Sequence, residues 1–250
     1  MKTAGMIVVI AGVLTLTMLP GAYAAYEEGV LPELKLEASA TMDVYNKYMW
    51  RGFTLDTDPV FQPGFNISGY GLTVSFWGSY DASGRDSLAS DEQDFIIDYT
   101  FETEYAAFSV GHTYYYFPGS TSYSTEWYLG ASLPVMLSPT ITYYYDYGDE
   151  DQGGGDGQYV NFSISHSLTV VENPEITLDL GASVGLNNEL FIKGEGGDYL
   201  LTVGLTIPLT PKATLSPVFG YAAPFGDLKD TNDGNQKART YGGVSVGVTF

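Results

Sequence analysis

The sequence predicts an all-β fold, a transmembrane antiparallel up-and-down barrel of twelve strands, on three observations. Apolar residues recur at every second position along most of the chain. The connections between these stretches alternate between short and long. The composition joins 21 Tyr, 13 Phe and 30 Gly to a mean hydropathy of only −0.02. A helical membrane protein needs apolar runs of roughly 20 residues, because each spanning segment must close its own backbone hydrogen bonds. A barrel closes them between strands and needs apolar residues on one face alone, so its average hydropathy stays near neutral.

Composition also limits function. With no cysteine, a disulfide framework and a thiolate metal site are both excluded. The formal net charge is −20, with 10 basic against 30 acidic residues. Phosphate recognition needs clustered Lys and Arg, so nucleic acid is not an expected partner. Cations suit such a chain better.

The N-terminus carries a different pattern. Lys2 precedes an apolar stretch from Met6 to Leu19, Pro20-Gly21 breaks it, and Ala22-Tyr23-Ala24 places small residues before a cut. This predicts a signal peptide over 1–24, a short segment over 25–32, and the barrel over 33–250.

The first strand shows the alternation clearly. Leu34, Leu36, Ala38, Ala40, Met42 and Val44 share one parity, and Lys35, Glu37, Ser39, Thr41 and Asp43 share the other. Period two puts these sets on opposite faces. The same pattern predicts strands over 33–50, 60–69, 72–81, 94–102, 105–117, 123–133, 140–148, 158–169, 175–186, 198–207, 212–222 and 239–250.

Tyr70-Gly71, Glu102 to Tyr105, Pro134 to Pro139, Val170 to Pro174 and Pro208 to Pro211 read as short turns, several with a proline that cannot continue a ladder. The segments 52–59, 82–93, 118–122, 149–157, 187–197 and 223–238 are longer and polar. Short turns at one rim and long loops at the other are the pattern of an outer-membrane barrel, with the long loops extracellular. An even strand count leaves both barrel ends on the periplasmic side.

A soluble β-sandwich also alternates, but its apolar face is an aliphatic core. Here aromatics gather near strand ends: Tyr48, Trp50 and Phe53; Tyr114, Tyr116 and Phe117; Tyr123 and Trp127; Tyr143, Tyr145 and Tyr147. All are expected in interfacial girdles. The other parity is small or polar, as in Thr177, Asp179, Gly181, Ser183 and Gly185, which suits a wet lumen.

In the last strand Val244, Val246, Val248 and Phe250 share one parity. This resembles the C-terminal strand that barrel-assembly machinery reads in outer-membrane proteins, and it makes that machinery an expected partner beside outer-membrane lipids and lipopolysaccharide. The stretch Asp43-Val44-Tyr45-Asn46-Lys47-Tyr48-Met49-Trp50-Arg51-Gly52-Phe53 resembles the first-strand motif of the TorF family of porins, a tyrosine-rich strand ending in an aromatic followed by Arg-Gly. Gln62-Pro63-Gly64 and the terminal Phe250 fit the same pattern. The resemblance implies an outer-membrane barrel with a pore, and says little about the solute.

With Val44 facing lipid, parity turns Tyr45, Lys47, Met49 and Arg51 inward, and the corresponding faces of other strands add Asp94 and Asp198. The expected pore-lining set is Glu37, Asp43, Lys47, Arg51, Asp98, Glu102, Glu126, Asp146 and Asp179. Excess carboxylates in a lumen favour cations. The expected function is therefore passive diffusion of small cationic or neutral solutes. The alternative is a structural barrel in which Arg51 and nearby carboxylates pair and plug the interior. Strand number leaves both open, because eight-stranded barrels are filled by side chains and those of about sixteen hold a channel.

The acidic stretch from Asp146 to Gly157 could offer oxygens to calcium, yet it lacks the EF-hand order and bidentate Glu, so a solvated loop is expected. His112 and His166 fall on the lipid-facing parity, while Ser165 and Ser167 face the other way and cannot serve His166 as a nucleophile. No catalytic residue, metal site or organic cofactor is expected. No dedicated interface stands out, which favours a monomer.

Overall fold

The computed structural model describes residues 35–82, 91–231 and 236–250. The expected signal peptide over 1–24, the segment over 25–32 and the first two residues of the predicted strand 33–50 lie outside them. Fourteen strands follow in order. They are β1 (Glu37–Tyr45), β2 (Tyr48–Trp50), β3 (Phe53–Asp56), β4 (Val60–Gly69), β5 (Leu72–Asp81), β6 (Glu92–Glu102) and β7 (Ala107–Tyr116). Then come β8 (Tyr123–Ser132), β9 (Thr140–Asp146), β10 (Gln158–Glu172), β11 (Glu175–Asn188), β12 (Glu195–Thr210), β13 (Ala213–Gly226) and β14 (Arg239–Thr249). Two short 3₁₀ turns, Glu150–Gln152 and Asp227–Asp230, sit in the loops.

Twelve strands close into one barrel in the order β1-β14-β13-β12-β11-β10-β9-β8-β7-β6-β5-β4. The seam is antiparallel on both sides of β1: Val44 pairs with Val244 of β14, and Asp43 with Gln62 of β4. Closure leaves no edge strand, so every ladder has a partner in a medium that offers no hydrogen bonds. The outward face explains which medium that is. Met42 is 47% exposed, Leu129 59% and Leu201 55%, and similar side chains recur around the barrel. An apolar belt of this extent is stable against lipid and not against water.

The strand bounds match the alternation closely, with three informative differences. The predicted first strand, 33–50, ends at Tyr45. There the Asn46 amide donates to the Gly242 carbonyl at 3.0 Å, and the Gly242 amide donates to Asn46 Oδ1 at 2.9 Å. The chain then leaves the wall, and β2 and β3 form a separate two-stranded sheet. Arg51 (φ 45°) and Gly52 (φ 80°) make the two-residue turn between them, with positive φ at both central positions as tight hairpins require.

As a second consequence, Tyr48, Trp50 and Phe53 are not girdle residues. Tyr48 and Phe53 are buried, and Trp50 packs on Phe53 at 5.9 Å. Alternation cannot separate an aromatic facing lipid from one on a hairpin turned inward, because both sit beside a polar neighbour. The remaining outward aromatics, among them Tyr116, Trp127, Tyr143, Tyr145 and Tyr147, are exposed as a girdle demands.

Third, β10 to β13 run longer than predicted. β10 and β11 continue to Glu172 and from Glu175, so the turn there shrinks to Asn173-Pro174. The ladder continues through Glu195-Gly196-Gly197 and Pro224, where the sequence shows no apolar alternation.

Candidate functional site in the barrel lumen

The hairpin formed by β2 and β3 reaches from the β1/β4 side of the barrel to the far wall. At its tip the Arg51 guanidinium donates from Nη1 to Glu126 Oε2 at 2.5 Å and from Nη2 to Oε1 at 2.9 Å. The Tyr115 hydroxyl donates to Oε1 at 3.1 Å. Glu126 on β8 is 1% exposed, so this is a desolvated, bidentate pair. The cation lies over the rings of Tyr144, Trp50 and Tyr159 at 4.0, 4.6 and 4.7 Å. Carboxylate plus three π faces offset the cost of taking a guanidinium out of water. Gly52 is required beside it, since a Cβ there would stand 2.6 Å from Asp198 Cβ and 2.8 Å from Leu228 Cδ2.

The hairpin is held from above as well. Phe53, Ile192 and Leu228 form a buried apolar cluster with Trp50 and Leu55 against it, and the Thr54 amide donates to Gln236 Oε1 at 2.8 Å. Three loops at the long-loop rim thus share a small core across the lumen.

Beneath this cover the wall carries a collar of rings. Tyr128, Tyr144 and Tyr159 follow one another on β8, β9 and β10 with centroids 5.7 and 5.9 Å apart. Tyr45 and Tyr241 meet across the seam at 6.1 Å, and Trp77 packs on Tyr48 at 5.6 Å. Cross-strand glycines make room for the rings: Tyr45 pairs with Gly243, Tyr128 with Gly111, and Tyr241 with Gly220. A Cβ at any of these glycines would run into the ring. Toward the short-turn rim the same faces carry small residues, such as Ser39, Thr41, Ser109, Gly130, Thr142 and Ser183. The lumen is therefore lined by small and polar side chains at one end and ringed by aromatics at the other.

A cavity of about 540 Å³ lies under the hairpin, walled by Asp43, Lys47, Trp77, Asp94, Glu126 and Tyr128 among others. The predicted lumen residues divide around it. Asp43, Lys47, Arg51 and Glu126 come together there. Asp98 also faces inward, accepting from the Tyr128 hydroxyl at 2.7 Å and from Thr100 at 2.8 Å. Asp179 lies nearer the short turns and accepts from Ser167, Thr177 and Thr206. Glu37 and Glu102 are exposed at the short-turn ends of β1 and β6.

Asp146 is fully buried and lines no path. It accepts from Ser124 Oγ at 2.7 Å and from the amides of Gly148 and Gly155 at 2.9 and 3.1 Å, so it organises the acidic loop. Asp198, likewise, accepts from the Tyr159 hydroxyl at 2.8 Å. Glu92 and Asp94 stand together, buried on one face of β6, and two oxygens of this wall stay unmatched: Asp43 Oδ1 and Asp94 Oδ1 are buried without a hydrogen-bond partner.

Sequence reasoning missed the collar. The signal was present, since the run Tyr143-Tyr144-Tyr145 must put its middle ring on the face opposite its neighbours, and an isolated glycine in a strand marks a close approach. The histidines stay outside the lumen. His112 Nε2 lies 2.7 Å from the Tyr147 hydroxyl and its ring meets Trp127 edge-on at 4.7 Å, while His166 pairs in register with outward-facing Leu180. The short expected run at Val244, Val246 and Val248 faces out beside β1, and the Phe250 amide donates to the Ala38 carbonyl at 2.9 Å.

No protein-family model matches this sequence, and no curated protein does. Solved structures do. The NanC porin shares 11% identity over 86% of this chain and 99% of its own, with a TM-score of 0.51. LpxR from Salmonella typhimurium shares 10% identity over 85% of this chain and 100% of its own, also at 0.51. This chain has the fold of an outer-membrane β-barrel. At such identities the likeness concerns fold alone. The outer-membrane barrel's orientation follows from its rims: the short turns are periplasmic and the long loops extracellular, so the hairpin enters the lumen from outside.

Proposed function

We propose that this barrel is a porin-like channel through which small solutes diffuse passively, with cationic and neutral solutes favoured over anions. The observation that carries the reading is a polar lower lumen leading up to a cavity in which Asp43 and Asp94 keep unmatched carboxylate oxygens. Carboxyl oxygens along a path can ligate a passing cation and disfavour an anion. The TorF-like stretch around Arg51 supports the same class of protein, and the likeness to the NanC porin is compatible with it.

Liposome swelling with purified, folded protein tests the proposal. A neutral pentose and lysine should permeate, and glutamate should lag. Absence of swelling with folded protein, or an anion preference in planar bilayers, overturns it.

A second reading is favoured by one feature, the Arg51 tip latched to Glu126 across the lumen. In that reading the barrel is a non-conducting structural or surface element of the outer membrane. It predicts no permeation by the wild type and is settled by the same assay.

A further inference from the structure

We propose that the cavity beneath the hairpin binds a small organic cation, an ammonium or guanidinium on a short hydrocarbon body. This deepens the channel reading by naming a solute class, and rests on it only for how the ligand arrives.

Three observations carry the proposal. Asp94 is 7% exposed and its Oδ1 has no partner, as is true of Asp43 Oδ1, and both residues wall the cavity. Glu92 lies two residues from Asp94 on the same face and is also buried, its Oε2 accepting from the Tyr48 hydroxyl at 3.0 Å. The two neighbouring carboxyls hydrogen-bond each other through a shared proton, and Asp94 Oδ1 still points to no donor. A buried carboxyl pair is costly to ionise, so it holds a proton that an entering organic cation can displace, gaining the carboxylate's attraction without ordering new groups. Lys47 lines the same cavity but forms no ion pair with either aspartate.

The second observation is the aromatic wall. Tyr45, Tyr48, Trp77, Tyr128 and Tyr241 surround the same space, and ring faces attract organic cations. The protein already uses this chemistry on another wall of the same cavity, where Arg51 rests among three rings with one carboxylate. The third observation separates the ligand class from a metal. Among the described residues no three His, Cys, Asp or Glu side chains converge as a metal would require. A diffuse charge on a body filling part of about 540 Å³ fits better than a point charge needing several oxygens at once.

The test is a fluorescence titration of the full-length protein folded in detergent, using the cavity-wall tryptophans Trp50 and Trp77 as reporters, with cadaverine and tetramethylammonium as probes. 1-Pentanol and magnesium chloride serve as the neutral and metal controls. Saturable quenching by the two cations alone is expected, weakened at least tenfold in Asp94→Asn. Asp43→Asn, at a partly buried position, should also weaken binding, and Lys47→Ala should strengthen it. Lack of saturation, equal response to 1-pentanol, tighter binding of magnesium, or unchanged affinity in both aspartate variants overturns the proposal. Swelling measured on the same preparations keeps the two readings apart. Permeation without cation binding overturns this site alone, and binding without permeation supports it while overturning the channel.

Discussion

Arg51 and Glu126, 75 residues apart in sequence, form a bidentate ion pair across the lumen at 2.5 and 2.9 Å. The pair fixes a loop from the first strand connection to the wall made by β7, β8 and β9. The hairpin occupies part of the space that the twelve strands enclose.

Removing one partner leaves the other charge buried. Glu126→Gln should lower stability by about 3–5 kcal/mol, the usual cost of breaking a buried pair. Arg51→Met with Glu126→Gln should lose less than the two single changes summed. Urea unfolding in detergent, read as a double-mutant cycle, gives the coupling; additive losses would contradict a working pair. In planar bilayers Glu126→Gln should raise single-channel conductance, because the hairpin tip loses its anchor.

The glycine partners of the collar make a separate prediction. At Gly111 a side chain would occupy the space of the Tyr128 ring, whose hydroxyl donates to Asp98. Gly111→Ala should therefore destabilise by about 1–3 kcal/mol, the range for overpacking. Adding Tyr128→Ser should restore part of the loss, as unfolding midpoints would show. An unchanged midpoint in the single variant would mean that the ring is free to move.

Neighbouring residues on β12 should differ sharply. Val203 faces lipid near mid-strand and Thr202 faces the lumen. Val203→Arg should cost about 2–4 kcal/mol at the bilayer midplane. Thr202→Arg should cost clearly less, since its charge meets water. Folding into vesicles from urea measures both, and equal costs would be inconsistent with a wet interior.

The assembly role expected of the terminal ring is open to direct test. Phe250 is 70% exposed and closes the stripe begun by Val244, Val246 and Val248. Phe250→Ser should reduce the folded yield in outer membranes several-fold while leaving urea stability of the folded fraction within about 0.5 kcal/mol, as for an exposed position. Normal yield in cells would remove this role.

Much of the fold was legible because lipid and water alternate across each strand. β4 and β5 fall on the predicted 60–69 and 72–81, and the short turns follow their prolines and glycines. The inward placement of Asp43, Asp98, Glu126 and Asp179 also followed from parity. Pairing did not. Parity assigns Asp146 to the interior as readily as Asp43, yet one is consumed by backbone amides and the other keeps an unmatched oxygen.

By itself, then, the sequence determined a closed barrel, its strand count, its two rims and the chemistry of each face, because those depend on neighbours one or two residues away and on the solvent each face meets. Only the tertiary structure decided that β1 stops at Tyr45, that Arg51 crosses the lumen to Glu126, and which carboxylates remain unsatisfied. Those outcomes depend on contacts between residues tens of positions apart, brought together when the barrel closes, and no local period encodes such distances.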